Sequence, residues 1–223
     1  MSQQNNGHEH EFEPELGLPE PLPAGEKILW QGGPDFSDML VRVFHFRKLS
    51  IYFILMLLMR AGYLSYGGQP GVDMLFAMIW PTGLALLGLG AVFTLAWLTA
   101  TTTVYTLTDQ RVVMRIGIVL TLTFNLPLRT IETAGLALHA NGCGDIPLKL
   151  KGDDHIAWLN LWPHARPWRL ANPEPMLRCI PNGKSVSAIF AKAWSQATGI
   201  PLDATPAQDK ASAQTLHWKP SPT

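Results

Sequence analysis

The sequence predicts a membrane-anchored α+β chain. Two transmembrane helices come first, followed by a cytoplasmic antiparallel β-barrel or sandwich of about seven strands with a C-terminal capping helix. Three observations carry this reading. Charged residues make up only 15% of the 223 residues and apolar ones 47%, where ordinary soluble domains are roughly a quarter charged. The 35 residues between Asp73 and Asp109 carry no charge at all, well beyond the ~20 apolar residues that cross a bilayer. Past them, apolar residues alternate with polar ones at a period of two, the pattern of strands with one buried face.

Taken in order, residues 1–24 are acidic and contain Pro14, Pro19, Pro21 and Pro23. Such a stretch buries too little surface to offset its ordering entropy, so it reads as a disordered tail. His8 and His10 alternate with glutamates there and read as solvated. This start is neither basic nor apolar, unlike a signal peptide. Residues 25–48 form a juxtamembrane segment. Within it, 35–48 set Met39, Leu40, Val43 and Phe44 against Asp38, Arg42 and His45, the spacing of an amphipathic helix at a membrane surface. Arg42, Arg47 and Lys48 are its membrane-surface cations.

The two spans lie within 49–100, at about 49–66 and 74–99. Arg60 interrupts the first. Near a helix end an arginine can snorkel to headgroups, with Tyr63 and Tyr66 as interfacial anchors; alternatively it pairs with a partner's carboxylate inside the membrane. Pro81 predicts a bend in the second span. Arg42, Arg47, Lys48, Arg111 and Arg115 flank the pair, and the loop 67–73 holds no Lys or Arg. The positive-inside rule therefore puts both termini in the cytoplasm. A third span at 112–128 is ruled out by Arg115, which leaves too short an apolar run. Leu120, Leu122, Phe124 and Leu126 also alternate there with Val119, Thr121, Thr123 and Asn125, as in a strand.

The soluble part, 101–199, yields candidate strands at 102–107, 111–116, 119–126, 135–139, 145–151, 155–162 and 176–180. Turn signals at Asp109-Gln110, Asn141-Gly142 and Gly152-Asp153 separate most of them. A helix follows, capped by Asn182, with Val186, Ile189, Phe190, Ala193 and Ala197 as its apolar stripe and Gly199 and Pro201 as its stop. Residues 200–223 read as a second loose tail.

Composition also excludes functions. Lys plus Arg equals Asp plus Glu at 17 each, so the basic footprint of a nucleic-acid binder is missing. Cys143 and Cys179 lack metal-site spacing and read as free thiols in a reducing compartment. No GxSxG, HExxH, phosphate loop or dinucleotide fingerprint occurs, so neither an enzyme nor a cofactor is expected. Asp153 and Asp154 adjoin Gly152 in a turn, and His155 and His164 lack a nucleophile or third ligand. The richest segment is WPHARPW at 162–168. Trp162, His164, Arg166, Trp168 and Arg169 are residue types, between stiffening prolines, that favour protein docking. In the competing reading Trp162 and Trp168 close the barrel bottom and Arg166 or Arg169 pairs with Glu174.

GEKILWQGGPD at 25–35, two spans, then YTLTDQRVVMRIG at 105–117 resemble the membrane-anchored bacterial pleckstrin-homology-like (PH-like) proteins. NLPLRTIE at 125–132, GCGDIPL at 142–148 and LWPHARPWRLANPEPMLR at 161–178 narrow the resemblance to photosynthetic-complex assembly proteins of purple bacteria, over roughly residues 25–195. That resemblance implies a PH-like fold for the cytoplasmic domain. It also implies a non-catalytic assembly factor for the reaction centre and core light-harvesting antenna, in the cytoplasmic membrane and the photosynthetic intracytoplasmic membrane. Expected partners are reaction-centre or antenna subunits, other assembly factors, membrane lipids or a second copy of the chain. Relatives have been described with three spans, whereas this sequence supports two. The alternative function is a PH-like lipid- or peptide-binding module unrelated to photosynthesis.

Overall fold

The computed structural model describes residues 17–201 except 19, 69–70, 119, 153–155 and 171. The turn at Asp153-Asp154, His155 and most of both expected tails lie outside the described residues. Where the first tail is described, Leu18 is buried and the backbone of Gly17 packs on Val104. The chain is therefore already docked on the sheet before residue 25.

A strand that sequence reading missed comes first: β1, Ile28–Gly32. It pairs antiparallel with β2, Val104–Thr108, so that Gly32 faces Tyr105. Between these neighbouring strands the chain makes a long excursion. It forms the single helical turn α1, Phe36–Asp38, started by the Asp35 carboxylate accepting from the Asp38 N–H. A π-helical stretch, Met39–Val43, continues from it, and then the helices α2, Phe46–Tyr66, and α3, Gly71–Thr102, run out and back. Both are long and apolar enough to cross a membrane, and each starts three residues earlier than the patterning indicates. Several of their serine and threonine hydroxyls bond within their own helix, as Ser50 does to the Phe46 carbonyl and Thr94 to that of Gly90. Such backbonding satisfies polar groups where water is absent.

Because the helical hairpin is inserted between two paired strands, both of its ends are held on one side by one sheet. Gly33 shows how tightly. A Cβ there would lie 2.8 Å from the Thr103 carbonyl oxygen, so only glycine lets the chain leaving β1 pass the end of α3. Phe36 and Phe46 both pack against Phe93 of α3, with ring centroids 5.3 and 6.5 Å apart. Met39 is completely buried. The expected surface helix over 35–48 is thus a collar around the last turns of α3, and it turns its apolar side to protein.

Among the described residues two antiparallel sheets form, and they do not close into a barrel, one of the two forms expected. The first runs β1-β2-β3-β4, with β3 at Arg111–Ile116 and β4 at Leu122–Pro127. Residues 112–128 are therefore hydrogen-bonded strand for most of their length, as the alternation indicates. In the second sheet β7, Gly144–Leu150, pairs with β5, Ile131–Ala134, β6, Ala137–Leu138, and β8, Met176–Ile180. Along β7, Ile146 and Leu148 point inward and Lys149 outward to Glu132, 2.8 Å away. The core between the sheets includes Tyr105, Met114, Leu128, Leu148 and Phe190.

One expected strand is wrong. Residues 155–162 contain instead the helical turn α4, Trp158–Leu161. Trp158 and Leu161 both pack on the core, which a helix permits at a spacing of three and a strand does not. The last helix, α5, Gly183–Thr198, lays Val186, Phe190 and Ala193 into the core as its stripe indicates. Asn182 does not cap it through its side chain; it adopts a left-handed backbone, φ 52°, at that position. Gly199 ends the helix in the left-handed conformation, φ 73°, as a C-terminal glycine does.

Candidate functional site

Two buried polar knots fix the sheet domain to the helical hairpin. In the first, β2 follows α3 directly, so Thr103 and Tyr105 both face the segment after α4. His164 is fully buried between them, with Nδ1 2.6 Å from the Tyr105 hydroxyl and Nε2 3.2 Å from Thr103 Oγ1. The Arg178 backbone N–H donates to the same hydroxyl at 3.3 Å, and its guanidinium donates to the Pro163 carbonyl at 3.0 Å. Burial, with Arg178 nearby, pushes the His164 imidazole down to about 3, and burial raises the Tyr105 phenol. His164 is neutral and structural. Its expected place on a docking surface is corrected, because none of it reaches solvent.

The second knot centres on Asp38, which is 5% exposed. Its carboxylate accepts from Arg42 Nε at 2.8 Å and from the Asn141 amide at 2.6 Å. Burial alone would raise its pKa; hydrogen bonds from Cys143, Arg42 and Asn141 outweigh that and hold it below the usual carboxylate range. The Asp35 N–H adds a bond to the Cys179 carbonyl at 2.8 Å. The turn at Asn141-Gly142 thus grips the collar from the far side. Arg42 is accordingly a clamp residue as well as a surface cation. Burial pushes both the Cys143 and Cys179 thiols up to about 12, so neither is a nucleophile at neutral pH.

The surface around the 162–168 segment divides. Arg166 donates to Glu174 at 2.7 Å, Arg169 lies 3.9 Å from the same carboxylate, and an isolated bridge joins Ala165 to Pro175. The ion pair with Glu174 holds as one reading expected. Trp162 packs edge-to-face on Phe44 at 5.8 Å and is still 47% exposed. Trp168 is another matter: it is 97% exposed with a left-handed backbone, φ 65°. It closes no barrel bottom. A bulky residue in that conformation is strained, and such strain concentrates at functional positions. Arg47 and Lys48 are exposed in the first turn of α2, and Arg60 is exposed further along it.

Metal and pocket chemistry add little. No group of three metal-ligating side chains occurs among the described residues. A cleft of about 400 Å³ between β1 and α5 is lined by Trp30, Gln31, Asn182, Ser185 and Ile189 among others, none of them titratable. Tyr105, Thr103, Asp38 and Asn141 were not singled out by sequence. Asp38 entered only as part of the polar face of the 35–48 helix, Tyr105 only within the 105–117 motif, and Asn141 only as a turn residue.

A helical hairpin inserted into an antiparallel sheet, with a second sheet and a terminal helix over it, is consistent with a PH-type fold that carries two long apolar helices. The bacterial PH domain family model matches residues 50–193, and the chain belongs to that family. It is also similar to a Rhodobacter capsulatus protein described as an uncharacterized 23.7 kDa protein in the puhA 5' region. The two are 35% identical over 187 residues, covering 83% of this chain and 87% of that protein. No solved structure matches.

Proposed function

We propose that the chain is a non-catalytic assembly factor for the photosynthetic reaction centre and its core light-harvesting antenna. The observation that carries this reading is the similarity, over most of the chain, to a protein from the puhA 5' region. The resemblance of segments 125–132, 142–148 and 161–178 to the purple-bacterial assembly protein PuhB points the same way. In this reading α2 and α3 cross the cytoplasmic membrane and its photosynthetic extension, with both termini cytoplasmic. Leu58, Met59, Trp80, Leu84 and Leu87 are all more than 60% exposed on the two helices, and nascent membrane subunits or lipid would cover them. The sheet domain holds extramembrane parts of the same subunits, with Trp168 and Arg169 as its most accessible contact residues.

The buried polar groups support a scaffold over a catalyst. His164, Tyr105 and Asp38 are each engaged by protein partners, and none of them lines the cleft between β1 and α5. Deleting the gene is expected to lower the core complex while leaving pigment synthesis intact. Normal complex accumulation would reject the reading in favour of a lipid- or peptide-binding module, for which Arg42, Arg47 and Lys48 would be the cations. Loss of pigment precursors alone would indicate an enzyme. Reporter fusions after Gly68 should read periplasmic and those after Gly117 and Gly199 cytoplasmic.

A further inference from the structure

We propose that α4 carries a third membrane contact: Leu159 and Trp162, together with Phe44, lie in the interfacial layer of the lipid bilayer that α2 and α3 cross. The proposal rests on the reading of those helices as spans. Leu159 lies in the helical turn Trp158–Leu161, and Trp162 is the extended residue that caps its end, its N–H bonded to the Trp158 carbonyl. They are 78% and 47% exposed, while Trp158 and Leu161 pack on the core. Two large apolar side chains are thus presented outward.

Their depth is set by Phe44. The Trp162 ring stacks on it at 5.8 Å, and Phe44 stands two residues before Phe46, where α2 begins. Two residues of chain reach about 7 Å at most. The 21 residues of α2 measure about 31 Å at 1.5 Å per residue, the thickness of the hydrocarbon core. The first residue of α2 therefore sits at the boundary, and the ring of Trp162 lies within the headgroup layer around it. His164, two residues on, is tied to Thr103 just past α3, about 15 Å along that helix from Phe93, the ring on which Phe46 packs, so the chain climbs away from the bilayer after Trp162. Exposed Arg47 and Lys48 share the level, and tryptophan beside basic residues is the composition of a membrane interface. Trp168 lies beyond the Ala165–Pro175 bridge and is not part of this contact.

The test is tryptophan quenching by lipids brominated near the headgroup end of their acyl chains, with the full chain in phosphatidylcholine–phosphatidylglycerol vesicles. Of the eight tryptophans, Trp162→Phe should lower the quenched signal by roughly one tryptophan's share, and Trp168→Phe should leave it unchanged. Trp80→Phe, within α3, monitors the spans themselves. If it alone lowers the quenched signal, the α4 contact is overturned while the spans stand; if it does not, the span reading fails and the contact with it. As a second measurement, a solvatochromic probe on Leu159→Cys should emit as from an apolar layer, like one on Leu58→Cys and unlike one on Lys192→Cys, since the native cysteines are buried. Water-like emission at Leu159, with loss of a co-purifying protein in Trp162→Ala, would assign α4 to a protein partner instead.

Discussion

The Tyr105 hydroxyl lies 2.6 Å from Nδ1 of His164, and both side chains are fully buried. The partners settle the direction of each bond. The Arg178 N–H donates to the Tyr105 oxygen, whose own proton then goes to Nδ1, leaving Nε2–H to donate to Thr103 Oγ1. A neutral imidazole fits this chain and an imidazolium does not, because Nδ1 would then need an acceptor. One knot thereby ties β2, β8, the end of α3 and the segment after α4.

The first prediction follows from that proton count. His164 is held at about 3 when folded, below the ~6.5 of an unfolded histidine. The unfolded chain binds one more proton between those values, so the stability from neutral His164 is complete above about pH 6.5 and is lost as pH falls toward 3. The loss should approach about 1.4 kcal/mol per pH unit within that window. Denaturation in detergent at pH 7, 6, 5 and 4 should show His164→Gln less stable than wild type at pH 7 but with a shallower decline. Parallel slopes would mean that His164 does not titrate as described.

Asp38 gives the second. Its truncation leaves the Asn141 amide and the Arg42 guanidinium without their acceptor, which costs about 1–3 kcal/mol. Asp38→Ala and Asn141→Ala should each lower the melting temperature and expose residues 35–45 to protease. Their effects should not add in a double mutant, because they break one interaction. Full additivity would show that the two side chains act independently.

Packing of α5 on β7 gives the third. A Cβ on Gly183 would lie 2.6 Å from the backbone of Gly144, and one on Gly144 3.0 Å from Gly183. Backbone cannot yield as a side-chain tip does, so Gly183→Ala should destabilise the domain by about 1–3 kcal/mol. Gly142→Ala, with open space around it but φ 86°, should cost about 1 kcal/mol. Equal melting points for Gly183→Ala and wild type would refute the close approach.

Local patterning made the helices, β3, β8 and the stripe of α5 legible, because each buries one face by its own period. β1 was hidden because its register is set by a strand some 75 residues away, Gln31 against Thr106, and its own residues alternate weakly. α4 was misread because a run of four residues is too short for either period to declare itself. The surface segment was legible by composition, yet composition does not distinguish sides: His164 turned inward, Trp162 onto Phe44 and Trp168 outward. Asp38 looked like an exposed residue opposite an apolar face. It became a clamp only because the Asn141 turn reaches it from the second sheet.

Trp168 gives the last prediction. Its side chain touches almost nothing, being 97% exposed, so removing it should leave stability within about 0.5 kcal/mol. Its backbone, at φ 65°, is one that glycine adopts freely. Trp168→Gly should therefore be as stable as wild type or gain up to about 1 kcal/mol, whereas Trp168→Ala keeps the strain. If the residue docks a reaction-centre or antenna subunit, both variants should accumulate normally and lose that subunit on co-purification. A hot-spot tryptophan contributes about 2 kcal/mol or more, roughly a thirty-fold change in dissociation constant. Arg166→Ala is a poorer probe, since it also frees Glu174, which is 8% exposed, and should destabilise the segment. Normal accumulation of both Trp168 variants with every partner retained would show that Trp168 is not the docking contact.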